Sequence, residues 1–192
     1  MQQTFELDLA EEEKAFLLAI VRNTIGAELG MHANALAVLP PMLQQGVLHE
    51  QLGAFVTLKV GEALRGCIGN LVADEPLYKV VARMAHSAAF EDPRFNPVTA
   101  HELPHIRVEI SVMGPITQCK NTEDVVIGRH GLIVRKGNRQ GLLLPQVPVE
   151  WGWDRETFLS QTCRKAQLPP DAWRDPQTEI YWFEAVVFGE HA

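Results

Sequence analysis

The run from Ile106 to Val112 constrains the fold more than any other segment of this chain. Apolar side chains occupy every second position, and Arg107, Glu109 and Ser111 occupy the positions between them. Successive side chains of a β-strand point to opposite faces of a sheet, so the alternation predicts a strand with one apolar and one polar face. The apolar face must pack on a core. The polar face meets either water or a binding cleft.

Other segments alternate between helical and extended patterns. Helical spacing of apolar residues predicts three helices, over about residues 9–29, from Pro76 to just before Asp92, and over about 155–167. Branched and apolar runs predict strands over residues 54–60, 64–68, 131–135, 141–144 and 180–188. Helices mixed with hairpin-linked strands predict an α+β fold, a mostly antiparallel sheet flanked by helices.

Several residues mark where these elements begin and turn. Asp8 followed by Glu11 resembles a capping box and predicts the start of the first helix, and Asp154 is a candidate cap for the last one. Gly61-Glu62 is suited to a hairpin turn between the first two strands. The stretch from Pro40 to Gly46 is predicted to be a loop.

Composition limits the function classes. The chain has 192 residues, enough for one domain, and a net charge of −7, which argues against broad nucleic-acid binding. No apolar run reaches the roughly 18 residues of a membrane helix, and the acidic N-terminal region does not resemble a signal peptide, which predicts a cytoplasmic protein. Three widely spaced cysteines favour neither a disulfide framework nor a cysteine-rich metal site. No metal or cofactor is expected, and the oligomeric state stays open.

The segment Leu64-Arg65-Gly66-Cys67-Ile68-Gly69 is the main candidate for chemistry. Glycine allows positive φ and close approach of another group, so Cys67 could be presented in a fixed pose. A thiol beside Arg65 suits a nucleophile or a ligand. The alternative is a small, half-buried strand residue that only packs under the hairpin, because free cysteine is among the most buried residue types.

Two arginines form a second candidate. Arg65 and Arg94, which follows Asp92-Pro93, could clamp a carboxylate or phosphate with two guanidinium groups. The alternative for Arg94 is a local ion pair with Asp92 that locks the loop.

Four further polar residues complete the candidate site. Glu109 could act as a general base with Ser111 as a hydrogen-bond partner, if their strand face lines a cleft rather than water. His130 could carry a proton near neutral pH or be a surface loop residue. Gln146, after Pro145 at a strand end, could orient a substrate amide or carboxylate, or satisfy nearby backbone.

One motif imitates a metal site. His101-Glu102-Leu103-Pro104-His105 matches the metalloprotease pattern H-E-x-x-H, which requires both histidines on one helical face. Pro104 disfavours a helix there, so the run is predicted to be a helical turn that leads into the strand at Ile106.

Taken together, the motifs resemble the AMMECR domain family, called system protein A of the AmmeMemoRadiSam group in prokaryotes. The resemblance covers about residues 10–190, so a single domain over 9–190 is expected. It rests on Phe55-Val56-Thr57-Leu58, Leu64–Gly69, Asp92-Pro93-Arg94-Phe95, Glu109-Ile110-Ser111-Val112, His130-Gly131-Leu132, Leu143-Leu144-Pro145-Gln146-Val147, Trp153-Asp154 and Phe158-Leu159 ahead of Cys163. Ala166-Gln167-Leu168 departs from it, because the family usually has Ala-Gly-Leu there.

The resemblance implies an α+β domain with a larger lobe, a smaller lobe and a cleft between them. It also implies two partners, a Memo-like protein and a radical-SAM protein. Two functions are therefore expected: an enzyme or enzyme subunit that binds a small or peptide-linked anionic group near Leu64–Gly69, or a non-catalytic scaffold for those partners.

Overall fold

The computed structural model describes residues 8–31 and 46–190. Within that part the chain divides into two compact units. The first unit comprises residues 8–31, 46–113 and 186–190, and the second comprises residues 114–185. The cleft expected between two lobes stays a prediction, and the loop predicted from Pro40 lies mostly outside the described residues.

The first unit is built on antiparallel strands with two helices. Its elements are α1 (Glu11–Glu28), β1 (Ala54–Val60), β2 (Ala63–Asn70), α2 (Leu77–Phe90) and β3 (Ile106–Met113). Strand β1 pairs antiparallel with β2 on one side and β3 on the other. Helix α2 packs on β1 and β2, and α1 packs on α2 and β3.

The apolar alternation positions this core. Ile106, Val108, Ile110 and Val112 are all buried, as the pattern predicts. Because the apolar residues of β3 lie on the face covered by helices, Arg107 and Glu109 lie on the opposite face and remain half-buried. We call that opposite side of β1, β2 and β3 the outer face.

The second unit has its own core. Its elements are β4 (Thr117–Gln118), β5 (His130–Lys136), β6 (Arg139–Leu143), α3 (Gln146–Glu150), α4 (Arg155–Lys165) and β7 (Glu179–Gly189), whose last residues, 186–189, belong to the first unit. Strand β5 pairs antiparallel with β6 and β7. Phe158, Leu159 and Cys163 of α4 are fully buried against Leu132 and Val134 of β5. The predicted α+β class with mostly antiparallel strands is confirmed.

Two helix starts show where local prediction succeeds and fails. Asp154 caps α4 as predicted, because its Oδ1 accepts the backbone N–H of Thr157 at 2.8 Å. Helix α1 instead begins after Ala10, whose N–H is accepted by the Glu13 carboxylate at 2.9 Å. The predicted start at Asp8 is two residues too early, since a third glutamate in the first turn provides the closing carboxylate. No helix in the described part of the chain is both long and apolar enough to cross a membrane.

Candidate functional site

The Leu64–Gly69 motif lies on strand β2, and the turn that precedes it is at Gly61, which has a φ of 58°. Gly66 and Gly69 have no positive φ. A Cβ on Gly66 would overlap the backbone carbonyl of Ala88 in α2, and one on Gly69 would overlap the ring of Phe55. The two glycines therefore permit close packing by a helix on one face and an aromatic ring on the other.

Arg65 occupies an irregular position on β2. Leu58 lies opposite Gly66 and Lys59 lies opposite Leu64, so Arg65 has no partner on β1. An extra residue of this kind is a β-bulge, which bends the strand and redirects a side chain. The bulge explains how Arg65 leaves the regular alternation of the strand.

The peptide groups of Cys67 are held by side chains. The Oδ2 of Asp92 accepts the Cys67 N–H at 2.9 Å, and Nη2 of Arg94 donates to the Cys67 carbonyl oxygen at 3.1 Å. In the described residues β2 pairs with β1 alone, so this edge of Cys67 has no neighbouring strand. Asp92 and Arg94 take the place of that strand and cover the edge.

Asp92 and Arg94 form a bidentate ion pair, with two hydrogen bonds between their side chains. Nε of Arg94 donates to Oδ1 at 2.9 Å and Nη2 donates to Oδ2 at 2.7 Å, while the backbone N–H of Arg94 adds a third bond at 3.1 Å. Asp92 is only 4% exposed. The bonds from Arg94 outweigh the effect of burial and hold the pKa of Asp92 well below its usual range. The alternative for Arg94, a local pair with Asp92, is what the structure contains.

Arg65 makes a second pair of the same kind. Its Nε donates to Oε1 of Glu102 at 2.8 Å, and its Nη2 donates to Oε2 at 3.2 Å. Glu102 also accepts the backbone N–H and the hydroxyl of Thr99, each at 2.9 Å. These bonds, with that from Arg65 the strongest, lower the pKa of Glu102 to about 2. Nη1 of Arg65 is buried and has no hydrogen-bond partner among the described residues.

Phe95 lies beside both guanidinium groups. Its ring centroid is 6.0 Å from Cζ of Arg65 and 5.5 Å from Cζ of Arg94. At these distances the ring quadrupole attracts both cations. Asp92, Phe95 and Glu102 thus hold the two arginines beside β2, and together these five residues surround the Cys67 segment.

The sulfur of Cys67 is on the outer face and half-buried. The hydroxyl of Thr57, its partner across β1, donates a hydrogen bond to Sγ at 3.2 Å. Cys119 and Cys163 are buried, and burial raises the pKa of both thiols, that of Cys119 to about 11. All three cysteines are in the described residues, and Cys67 is the most exposed of them.

Glu109 lies in the same cross-strand row as Cys67. Thr57 is opposite Cys67 on one side and opposite Glu109 on the other. Lys59 binds the Glu109 carboxylate at 3.0 Å, and both side chains are about one-third exposed, at 32% and 34%. Ser111, expected on the same polar face, is 3% exposed.

His130 and Gln146 belong to the second unit. Nδ1 of His130 accepts the backbone N–H of Val126 at 3.1 Å, and its ring lies 4.6 Å from that of Trp182. Burial, aided by Arg129, lowers the pKa of His130, so the imidazole is neutral near pH 7. Gln146 opens α3, a helix that the sequence did not predict, and its Oε1 is buried without a partner among the described residues.

The run from His101 to His105 forms a short 3-10 helix that leads into β3, as predicted. The carboxylate in this run is that of Glu102, which forms an ion pair with Arg65. In residues 8–31 and 46–190 no group of three or more His, Cys, Asp or Glu side chains is arranged to hold a metal ion.

Sequence reasoning missed three residues that shape the site. Thr57 binds the sulfur, Asp92 binds the peptide of Cys67, and Glu102 binds Arg65. Asp92 entered the prediction only as a local partner for Arg94, and Glu102 only as part of a metal-like motif. Alternation along Ala54–Val60 was a usable signal for Thr57, because it puts that hydroxyl on the polar face of a central strand.

Known proteins are similar to this chain over nearly its whole length. The model of the AMMECR1 family matches residues 18–188. A protein of Thermococcus gammatolerans is 44% identical over 192 residues, covering 95% of this chain and 92% of that protein. Protein MK0488 of Methanopyrus kandleri is 45% identical over 191 residues, covering 95% and 90%. The crystal structure of the uncharacterised protein PH0010 from Pyrococcus horikoshii is similar with a TM-score of 0.77, at 41% identity, covering 92% of this chain and 90% of that one.

Proposed function

The chain belongs to the AMMECR1 family, and from that premise we propose that it is an enzyme or enzyme subunit. It binds a small or peptide-linked anionic group beside the Leu64–Gly69 strand and uses Cys67 as its nucleophile. The proposal includes a cytoplasmic location and a place in the AmmeMemoRadiSam system beside a Memo-like protein and a radical-SAM protein.

The environment of Cys67 carries this proposal. Cys67 is the most exposed of the three cysteines, and the Thr57 hydroxyl donates to its sulfur at 3.2 Å. This hydrogen bond fixes the orientation of the thiol, whose deprotonated form is the nucleophile. Asp92 and Arg94 bind the peptide groups of Cys67 at the edge that faces away from β1, so that edge is fixed without a second neighbouring strand.

The two arginines supply the attraction for an anion. Each uses Nε and Nη2 to bind a carboxylate of the protein, so a ligand would contact Nη1. Nη1 of Arg65 is a buried donor without a partner among the described residues. A buried donor without a partner is costly, and a ligand oxygen or a water would remove that cost. Arg94 has a side chain 54% exposed, accessible to a substrate.

The remaining predicted residues keep their proposed roles. Glu109 serves as the general base, with Ser111 as its hydrogen-bond partner. His130 acts from its neutral form, in which Nε2 carries the proton because Nδ1 accepts from Val126. Gln146, like His130, lies in the second unit, and its predicted role there is to orient an amide or carboxylate.

Alkylation kinetics test the nucleophile. Iodoacetamide should modify native protein at Cys67 alone and faster than it modifies N-acetylcysteine, because Thr57 holds the thiol in a fixed orientation. Thr57→Val should slow the reaction at Cys67, whereas Thr117→Val, on a strand of the second unit, should leave the rate unchanged. A Cys67 that reacts no faster than N-acetylcysteine removes the nucleophile from the proposal.

A scaffold is the second candidate, and the packing around the motif favours it. Gly66 and Gly69 are explained by contacts with Ala88 and Phe55, without any ligand. In this alternative the protein holds the Memo-like and radical-SAM partners and the motif provides shape. Co-purification with both partners, together with an unchanged in vivo phenotype in Cys67→Ser and Arg65→Ala, would favour the scaffold over the enzyme.

A further inference from the structure

We propose that the outer face of the first unit holds a binding site for the ammonium and carboxylate groups of an amino acid or a short peptide. This deepens the function proposed above and rests on it, because it names the substrate class that Cys67 would receive. The site is a depression beside the Lys59–Glu109 ion pair.

The depression has a volume of about 280 Å³. That is close to the lower limit of small-molecule sites, which span roughly 300–1,000 Å³. It suits a ligand of amino-acid size better than a nucleotide. Its lining residues are Lys59, Arg107, Val108, Glu109, Gly189 and Glu190.

Gly189, which lines the depression, lies against the backbone of β3. A Cβ at this position would lie 2.9 Å from the carbonyl oxygen of Val108 and 3.6 Å from Cβ of Glu109. Gly189 does not have positive φ, so its backbone conformation does not require glycine. Any side chain there would crowd the floor of the depression beside Glu109.

The charged side chains that line the site differ in how strongly other groups of the protein already bind them. Glu190 is already occupied: Arg22 donates to it through Nε at 2.7 Å, and the backbone N–H of Val108 donates to it at 2.9 Å. Arg107 donates through Nη2 to the carbonyl oxygen of Gly61 at 2.9 Å and to Glu62, whose side chain is 93% exposed. An exposed ion pair of that kind is weak and is easily exchanged.

Three charges therefore remain for a ligand. Lys59 and Arg107 are cations opposite each other on β1 and β3, and Glu109 is an anion two residues from Arg107 on the same face. The Lys59–Glu109 pair is one-third exposed, so it too can take further partners. A carboxylate fits against Lys59 and Arg107, and an ammonium fits against Glu109. A ligand that carries both groups complements the site better than a simple anion.

The register of the strands joins this site to Cys67. Glu109, Thr57 and Cys67 lie opposite one another on three adjacent strands. Adjacent strands are about 4.8 Å apart, so the Cα atoms of Glu109 and Cys67 are about 10 Å apart. An extended chain covers that span with about three residues. A ligand whose ammonium and carboxylate are both held beside Glu109 must therefore cross this span with its side chain, not with its backbone.

Triglycine is a simple probe that carries both the ammonium and the carboxylate. Titrated into ¹⁵N-labelled protein, it should shift the backbone signals of residues 57–59, 107–109 and 189–190. N-acetyltriglycine, which lacks the ammonium, and triglycinamide, which lacks the carboxylate, should each bind at least tenfold more weakly. These two blocked probes use the wild-type chain, so their result does not depend on how any variant folds.

Variants locate the charges. Lys59→Met and Glu109→Gln should each weaken triglycine binding at least tenfold. Lys136→Met is the matched control, because Lys136 is equally exposed, at 32%, and forms an ion pair with Asp175 in the second unit. Equal binding of the blocked probes, an equal loss in Lys136→Met, or no shift at the named residues would overturn the site.

The same titration on Cys67→Ser separates the two proposals. Binding retained in Cys67→Ser and lost in Glu109→Gln supports the site whatever the thiol does. If triglycine binds but Cys67 shows no selective alkylation, the site stands and the nucleophile fails. If Cys67 is selectively alkylated but triglycine does not bind, the substrate class named here is wrong.

Discussion

The carboxylate of Asp92 accepts the backbone N–H of Cys67 at 2.9 Å. Arg94 donates to the carbonyl oxygen of the same residue, so both peptide groups at the free edge of β2 are bound by side chains. An edge strand normally shows such groups to water or to another chain. Here they are covered, and the position of the candidate thiol depends on an ion pair in a neighbouring loop.

Asp92→Asn should destabilise the protein by about 2–3 kcal/mol, because it removes charged hydrogen bonds at a nearly buried site. The pKa of Asp92 is lowered in the folded state, so its stabilisation is complete above the ordinary aspartate pKa of 3.8 and is lost as pH falls below that value. The difference between variant and wild type should therefore shrink on acidification. Urea denaturation at pH 7 and pH 3 measures both.

Asp74→Asn is the control for that experiment, because Asp74 is exposed. Its effect should stay within about 0.5 kcal/mol. An Asp92→Asn protein as stable as Asp74→Asn at pH 7 would contradict the role of the carboxylate.

Gly66→Ala should cost about 2–3 kcal/mol, because the new methyl group meets the backbone of α2 at Ala88, which cannot move as a side chain can. Gly61→Ala is the matched control. Gly61 has a φ of 58° and open space around it, so alanine there costs only about 1 kcal/mol of conformational strain. Thermal denaturation compares them, and equal losses would show that close packing at Gly66 is unimportant.

Gln167→Gly should stabilise the protein by about 1 kcal/mol. Gln167 has a φ of 59°, a left-handed conformation that glycine adopts without strain. It ends α4 in a Schellman motif, in which Leu168 donates to Cys163 and Gln167 donates to Arg164, each at 2.9 Å. The resemblance given in the sequence analysis predicts glycine at this position, in the run Ala-Gly-Leu.

Gln177→Gly provides the comparison for this substitution. Gln177 does not have positive φ, so glycine there only adds freedom to the unfolded chain and should slightly destabilise. Denaturant midpoints that move in the same direction for both variants would contradict the strain at Gln167.

His130 should titrate below its ordinary pKa of 6.5 in the folded protein, because burial disfavours the imidazolium. The neutral ring should carry its proton on Nε2, since Nδ1 accepts from Val126. Because the folded protein disfavours protonation of His130, this contribution to its stability is complete above pH 6.5. It is lost as pH falls through the pKa that His130 has in the folded protein. Long-range ¹H–¹⁵N spectra report both tautomer and titration, and a proton on Nδ1 at pH 7 would refute the assignment.

Local patterns predicted the elements because their causes act within a few residues. The alternation of β3 and the Asp154 cap are of this kind, and both are confirmed. Asp8 failed as a cap because three consecutive glutamates offer alternative closures, and Glu13 provides the one used. The short helix at Gln146 was not predicted, because the proline before it was interpreted only as the end of a strand.

The sequence predicted residues that belong to the candidate site, but it did not predict how they are paired. The sequence pointed to Arg65, Cys67 and Arg94 because glycine or proline lies beside each of them. It gave no reason to pair Arg65 with Glu102, which is 37 residues further along the chain. It also expected Ser111 on a polar face with Glu109, and the folded chain buries it. Pairings of this kind depend on which segments meet, and alternation along one strand does not encode that.

The sequence by itself determined the family, the α+β class, the strand that carries Cys67 and the two-sided character of β3, because periodicity and short motifs are local properties. Tertiary structure decided that both guanidinium groups bind carboxylates of the protein and that Gly66 and Gly69 provide room for Ala88 and Phe55. It also decided that Thr57 lies between Cys67 and Glu109. Those relationships arise from register and packing, which bring together groups far apart along the chain.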